Sequence, residues 1–475
     1  MAQSNLDGWE APKWQIAGGL TLFISGMAFG IIGAFQYILP GFLKAHLSFE
    51  QTRPLHVSSI LFWILLTSTG AVLQYVGEYT GRHPKLRYLA TIQAILFGTS
   101  VLAILSSYAA GEFGGREYWE FPPPLALLFV CGWLLFIVQV VGMLRSLSGQ
   151  PVYIWMWITG AFGFLLTFTE SYLWMLPHFS DTLVRDMAVQ WKSNGSLVGS
   201  WNMLVYGLGI YLMEKISGNK THARSNMAFG LFFLGLFNLM FNWSHHIYTL
   251  PVQPYIRHIG YLVSMTELFI LGRIIYKWKD SVEASRKRLH HIPYRFLMMA
   301  DFWIFFNLII AILMSIPAIN VYTHGTHITV AHVMGTTIGI NSMLLMAVAY
   351  DLLQTTCFPL APYKRTIFKA MWMVNASLLV FLAALFAAGI ERSVWQMSEV
   401  REPFARMMEG LVPYFICFTI AGCFLLGGFS VIAYPLIRNI LICSIRKTSF
   451  GRDGGHEGTS SEKALTERGI SLEVP

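Results

Sequence analysis

The chain alternates long apolar runs with short polar joints along nearly its whole length. A run of about 20 apolar residues is long enough to cross a bilayer core as a helix. Twelve such runs are present, near 14–39, 54–78, 88–109, 124–146, 152–177, 194–214, 226–248, 256–278, 294–318, 327–353, 366–389 and 411–440. The longest joints lie near 178–193, 279–293 and 390–410. This pattern predicts an all-α integral membrane protein with a polar N-terminus over 1–13, a membrane domain over 14–440 and a tail over 441–475. Residues 449–475 are polar and rich in Gly and Ser, which predicts that the tail is mostly disordered.

Composition narrows this further. Of 475 residues, 55% are hydrophobic and only 12% charged. Soluble proteins carry about 25% charged residues, so too little charge is present to coat a set of soluble domains. Disorder throughout, a collagen repeat and a disulfide scaffold are excluded on the same grounds. The five cysteines lie in or beside apolar runs without CxxC spacing, and read as core residues with no disulfide.

The formal charge of +8 adds a topology. Lys and Arg cluster after the second, sixth, eighth, tenth and twelfth runs (for example Arg82, Lys85, Lys215, Arg286, Lys364 and Arg446). Those joints share one side, so the positive-inside rule predicts that both termini are cytoplasmic. Lys44, Arg53, Arg116 and Arg185 are exceptions on the other side. The charge reads as orientation, and no nucleic-acid surface is expected. Asp7, Glu10 and an overlong first apolar run argue against a cleavable leader.

The 14 histidines carry the chemistry. An ionisable side chain within a membrane helix is costly and usually functional. His56 begins the second run in RPLHVSSILFW. His245 and His246 end the seventh in NWSHHIY. His332 lies in the tenth, in VYTHGTHITVAHVMG. Vicinal histidines on an α-helix diverge by about 100°, so one metal takes both only if the helix end is distorted or the ion sits between them. Imidazoles spread over three helices suit haem, non-haem iron or copper. His324 and His327 flank the start of the tenth run, where solvation or contact with a haem propionate is expected.

The order and spacing of RPLHVSSILFW, GREYWEFP, the His pair and VYTHGTHITVAHVMG resemble the large haem-bearing subunit of bacterial nitric oxide reductase, in the haem-copper oxidase superfamily. The similarity runs over about 14–440 and implies a twelve-helix, subunit I-like bundle in the bacterial inner membrane. It implies two b-type haems. His56 would ligate the low-spin haem and His332 the high-spin haem. His245 and His246 would bind the facing non-haem iron, with copper as the alternative. Glu117 and Glu120 would stand near a calcium ion, and Glu267 would help deliver protons. The implied substrate is nitric oxide, and the implied electron donor a cytochrome c-type subunit or a quinol.

The chain departs from that family in two places. Aligned without gaps to Lys215, Asn194 and Val198 stand where the family has a third metal-binding His and a Glu, and Asn202 replaces a second Glu. Met334 stands where a second haem-ligating His is expected; Met is an accepted axial ligand and raises the haem potential. The oxygen reductases of the superfamily carry a crosslinked tyrosine, and Val198 and Leu239 occupy the two positions for it. The expectation is therefore reduction of nitric oxide to nitrous oxide. A nitric oxide dismutase, a non-catalytic haem protein that binds nitric oxide, an oxygen reductase and a haem-free transporter are the alternatives.

Overall fold

The structure, a computed structural model, describes residues 10–82, 88–263, 265, 272, 291–353 and 360–453. Its regular secondary structure among these residues is helical, apart from an isolated bridge between Arg116 and Trp119. Eleven helices or helical spans among the described residues are long and apolar enough to cross a membrane. They are α1 (Ala11–Ile38), α2 (Phe49–Thr80), α3 (Tyr88–Ala109), α4 (Ala126–Met143), α5 (Val152–Glu170), α6 (Leu183–Ser217), α7 (Asn226–Phe241), α8 (His291–Ser315), α9 (His327–Leu353), α10 (Lys364–Met397) and α11 (Phe404–Asp453). The run expected over 256–278 falls mostly outside the described residues, and Glu267 lies outside them too.

Helix α2 is the hub. In its most apolar stretch 89% of residues are buried, against 24% for the span containing α7, which lies on the outside. The buried face of α2 is rich in small residues (Ser58, Ser59, Thr67, Ser68, Gly70), which lets neighbouring backbones approach closely in the absence of a hydrophobic driving force between helices. Two large indoles, Trp63 on α2 and Trp303 on α8, are fully buried. Each donates its N–H inside the bundle, to Ser342 at 3.2 Å and to Asn375 at 2.7 Å.

Several features differ from the sequence expectations. Helix α6 begins at Leu183, inside the expected joint, because Thr182 accepts the N–H of Arg185 and caps it there. Helix α11 runs on to Asp453, past residue 440. Helix α9 is interrupted by a π-helical segment, Gly335–Ser342. A Cβ on Gly339 would lie 2.7 Å from the Trp303 indole, so α8 presses directly on this segment. Cys131, Cys417 and Cys423 are exposed on the outer faces of their helices instead of lying in the core, and buried Cys443 is disulfide-bonded.

The basic exceptions to the charge rule also have a structural reason. Arg53 pairs with Glu117 and Glu120, Arg116 with Asp186, and Arg185 with Asp181. Each of these positive charges is matched locally by a carboxylate. Lys215, read as part of a basic joint, instead lies within α6 and bonds two carboxylates.

Candidate functional site

His56 sits two turns into α2 and leans against α1. Its Nδ1–H donates to the carbonyl oxygen of Gly26 at 2.7 Å. Gly30 makes the contact possible, since a Cβ there would stand 2.7 Å from the same nitrogen. The bond fixes the tautomer and leaves Nε2 as the lone-pair nitrogen, the state an axial haem ligand requires.

The His pair lies in a 3₁₀ turn, Asn242–Ile247, that extends α7. The two imidazoles stand 4.2 Å apart, centroid to centroid, at an interplanar angle of 41°. Helix α6 holds the turn in place. A Cβ on Gly199 would meet the Cα of Leu239 at 2.7 Å, and one on Gly195 would meet Trp243 at 2.5 Å. The indole of Trp191 stacks on His246 at 4.6 Å and 11°. Asn194, one turn further along α6, is buried, and neither of its side-chain polar atoms has a hydrogen-bond partner among the described residues.

A cavity of about 200 Å³ lies between α6, the turn of the His pair, α8 and α9, and Asn194 is not part of its lining. His245, His246, His324 and His332 all face it, as do Val198 and Asn202. Its other walls are mainly Met, Leu, Ile, Ala and Gly. His332 enters it from α9, and its Nδ1 has no partner among the described residues. Met334, two residues on, is no part of the lining and packs against the hydrophobic core. Burial pushes the pKa of the His324 imidazole down, which keeps the ring neutral beside its neighbours.

Glu117 and Glu120 occupy the joint after α3. Arg53, one turn before His56, reaches Glu117 at 3.1 Å and Glu120 at 2.9 Å. Burial raises the pKa of Glu120, and the Arg53 guanidinium works against that rise. Oε2 of Glu120 is buried without a partner among the described residues. The protein thus supplies its own cation to both carboxylates, and a calcium ion would have to share them with Arg53.

The donor set fits haem and one further metal only in part. His56 offers Nε2, while His332, His246 and Asn194 offer buried atoms without partners. Yet among the described residues no three His, Cys, Asp or Glu side chains converge on one metal position. Asn194, expected from the resemblance in place of a third imidazole, is buried beside the turn but does not line the cavity. The sequence reading did not single out Trp191, Arg53 or the Lys215 cluster. An indole three residues before Asn194, and charges at the ends of apolar helices, were the available signals.

Comparison with known proteins settles the family. The model for cytochrome c and quinol oxidase polypeptide I matches residues 11–424. The chain belongs to that family. Family membership makes it the haem-copper oxidase subunit I type of membrane protein, in a superfamily typically of oxidoreductases. It is 23% identical over 440 residues to a nitric oxide reductase subunit of Stutzerimonas stutzeri, covering 86% of this chain and 90% of that protein. It is 20% identical over 442 residues to the cytochrome c oxidase subunit 1 of Rhodobacter capsulatus, covering 87% and 82%. A haem-copper terminal oxidase dimer solved by cryo-electron microscopy shares the fold, with a TM-score of 0.68 at 16% identity over 91% of this chain and 84% of that one. Both reductase and oxidase relatives thus resemble this family member.

Proposed function

We propose that this chain reduces nitric oxide to nitrous oxide, 2 NO + 2 H⁺ + 2 e⁻ → N₂O + H₂O, in the bacterial cytoplasmic membrane with both termini cytoplasmic. One observation carries the reading: His245, His246, His332 and Val198 line one cavity. By the resemblance, an oxygen reductase would have a crosslinked tyrosine at position 198 or 239, and this chain has Val198 and Leu239 there. His332 would hold a high-spin haem b and the His pair with Asn194 a non-haem iron. His56 and Met334 would hold a low-spin haem b. When bound, these groups supply electrons and two adjacent sites for nitrogen oxides, removing the entropic barrier to bringing two reactants together.

The residues of the chain do the rest. The Gly26 carbonyl orients His56. Trp191 and Gly199 hold the His pair against α6. Glu267 is proposed as a proton donor, and a cytochrome c-type subunit or a quinol as the electron source.

Asn194 favours a second reading, a nitric oxide dismutase, because an amide oxygen is a weaker, neutral ligand than imidazole. One experiment separates the possibilities. Purified protein is assayed for haem and metal, then given nitric oxide and a reductant without air. Two haems, one metal and nitrous oxide support the reductase. Dioxygen supports the dismutase, and a stable nitrosyl haem without turnover supports a binding protein. Turnover of dioxygen alone supports an oxidase. A preparation free of haem and metal refutes all four.

A further inference from the structure

The joint between α8 and α9 carries a short helix, Pro317–Thr323. Within it Asn320 is 2% exposed. Its side-chain Nδ2 donates to two backbone carbonyls, that of Met314 near the end of α8 at 2.9 Å and that of His245 in the 3₁₀ turn at 3.1 Å. Both amide hydrogens are thereby committed, and the amide cannot flip without setting Oδ1 against two carbonyl oxygens. Oδ1 is buried and has no hydrogen-bond partner among the described residues. The amide is thus held through its nitrogen, which ties the His pair to α8.

The carbonyl that Asn320 reaches is a particular one. The C=O of His245 belongs to the planar peptide unit that joins His245 to His246. A hydrogen bond to it restrains ψ of His245 and φ of His246 together, and these two torsions set how one imidazole is turned against the other. A 3₁₀ turn has need of outside support, because its own hydrogen bonds are of poorer geometry than those of an α-helix. From α6, Gly195 closes on Trp243 and Trp191 stacks on the ring of His246. Asn320 acts from a different element, and on the peptide between the two rings. The same short helix also places His324. The His324 N–H donates to the Asn320 carbonyl at 2.8 Å, and its ring stands 5.8 Å from that of His246, centroid to centroid. His245, His246, Asn320 and His324 all line the cavity.

We propose that Asn320 is the positioning residue of the His pair, a latch that fixes the peptide between His245 and His246 so that both imidazoles can serve one metal. The proposal rests on the reading of the pair as metal ligands, and on no particular substrate. Groups that orient metal ligands typically contribute about ten- to a hundredfold in metal affinity.

The test uses the full chain, loaded with haem, with ferrous iron as the probe. Asn320→Leu, of similar size, should weaken iron binding about ten- to a hundredfold at near-native haem content. Hydrogen exchange read by mass spectrometry should rise in the turn Asn242–Ile247, with or without added iron, while α2 and α10 stay as protected as in the parent. Asn320→Gln, which keeps an N–H donor, should restore part of both. Asn320→Asp keeps the shape but loses the donor, and it carries the test if the leucine variant loses haem. Unchanged exchange of the turn, or native iron affinity at native haem content, overturns the proposal. A parallel loss of haem, iron and Tm in both the Leu and the Asp variants also overturns it, because that marks a plain packing role. A parent chain that binds no ferrous iron, but whose turn loosens in the variants, would instead refute the metal reading of the pair and support the latch alone.

Discussion

The imidazole Nδ1–H of His56 donates to the backbone carbonyl of Gly26, 30 residues earlier in the chain, at 2.7 Å. A side chain on α2 is thereby oriented by a carbonyl of α1, and Gly30 leaves room for the ring. Gly30→Val should expel the ring and remove one haem while the second remains. A pyridine haemochrome assay should fall from two haems per chain to one. Two haems with an unshifted low-spin spectrum would refute the role of His56.

Met334→His replaces thioether by imidazole at the proposed sixth position. The low-spin spectrum should shift and its reduction potential fall, because His/Met ligation raises the potential relative to two histidines. A redox titration followed in the visible bands reads both, and an unchanged spectrum removes Met334 from the ligand set.

Asn194→His adds an imidazole where a buried amide has no partner among the described residues. Non-haem metal content after dialysis against a chelator should rise, whereas Asn194→Ala should lower it. Equal retention in both variants would show that position 194 does not touch the metal.

Gly199→Leu places a side chain where even a Cβ would lie 2.7 Å from the Leu239 backbone. Helix α7 must move, carrying the 3₁₀ turn of His245 and His246. Loss of non-haem metal is expected at near-native content of the His56 haem, measured on the same preparation.

Glu120 provides a pH signature. Its folded pKa is raised, chiefly by burial, so its contribution to stability is fullest below the ordinary carboxylate pKa. That contribution is lost as pH rises from there through the folded value. Arg53→Gln removes the opposing charge and should widen this window upward. Thermal melts across pH should show the variant losing more stability than the parent between acid and neutral pH. Chelation of calcium should leave the parent Tm unchanged if Arg53 is the working cation, and a drop would restore calcium to Glu117 and Glu120.

Much of the architecture was legible because membrane helices announce themselves by length and apolarity. The His pair and His332 were legible for a related reason: an imidazole in such a run is rare enough to stand out. What escaped was tertiary. Nothing in the polar residues around Lys215 shows that Glu78 and Asp351, more than a hundred residues away on either side, bond its ammonium. Trp191 reads as one more aromatic residue until His246 is seen lying on it. The disulfide at Cys443 was missed because spacing reveals only local pairs.

The π segment Gly335–Ser342 divides α9 into two helices that need not keep the same phase. His332 and Met334 stand before it, and Leu344 and Asp351 after it. Deleting one residue there would let the helix wind regularly, and the upper half would turn by about 100° against the lower. The segment works as a slip joint: the azimuth of the ligands and that of the buried carboxylate are set separately within one continuous rod.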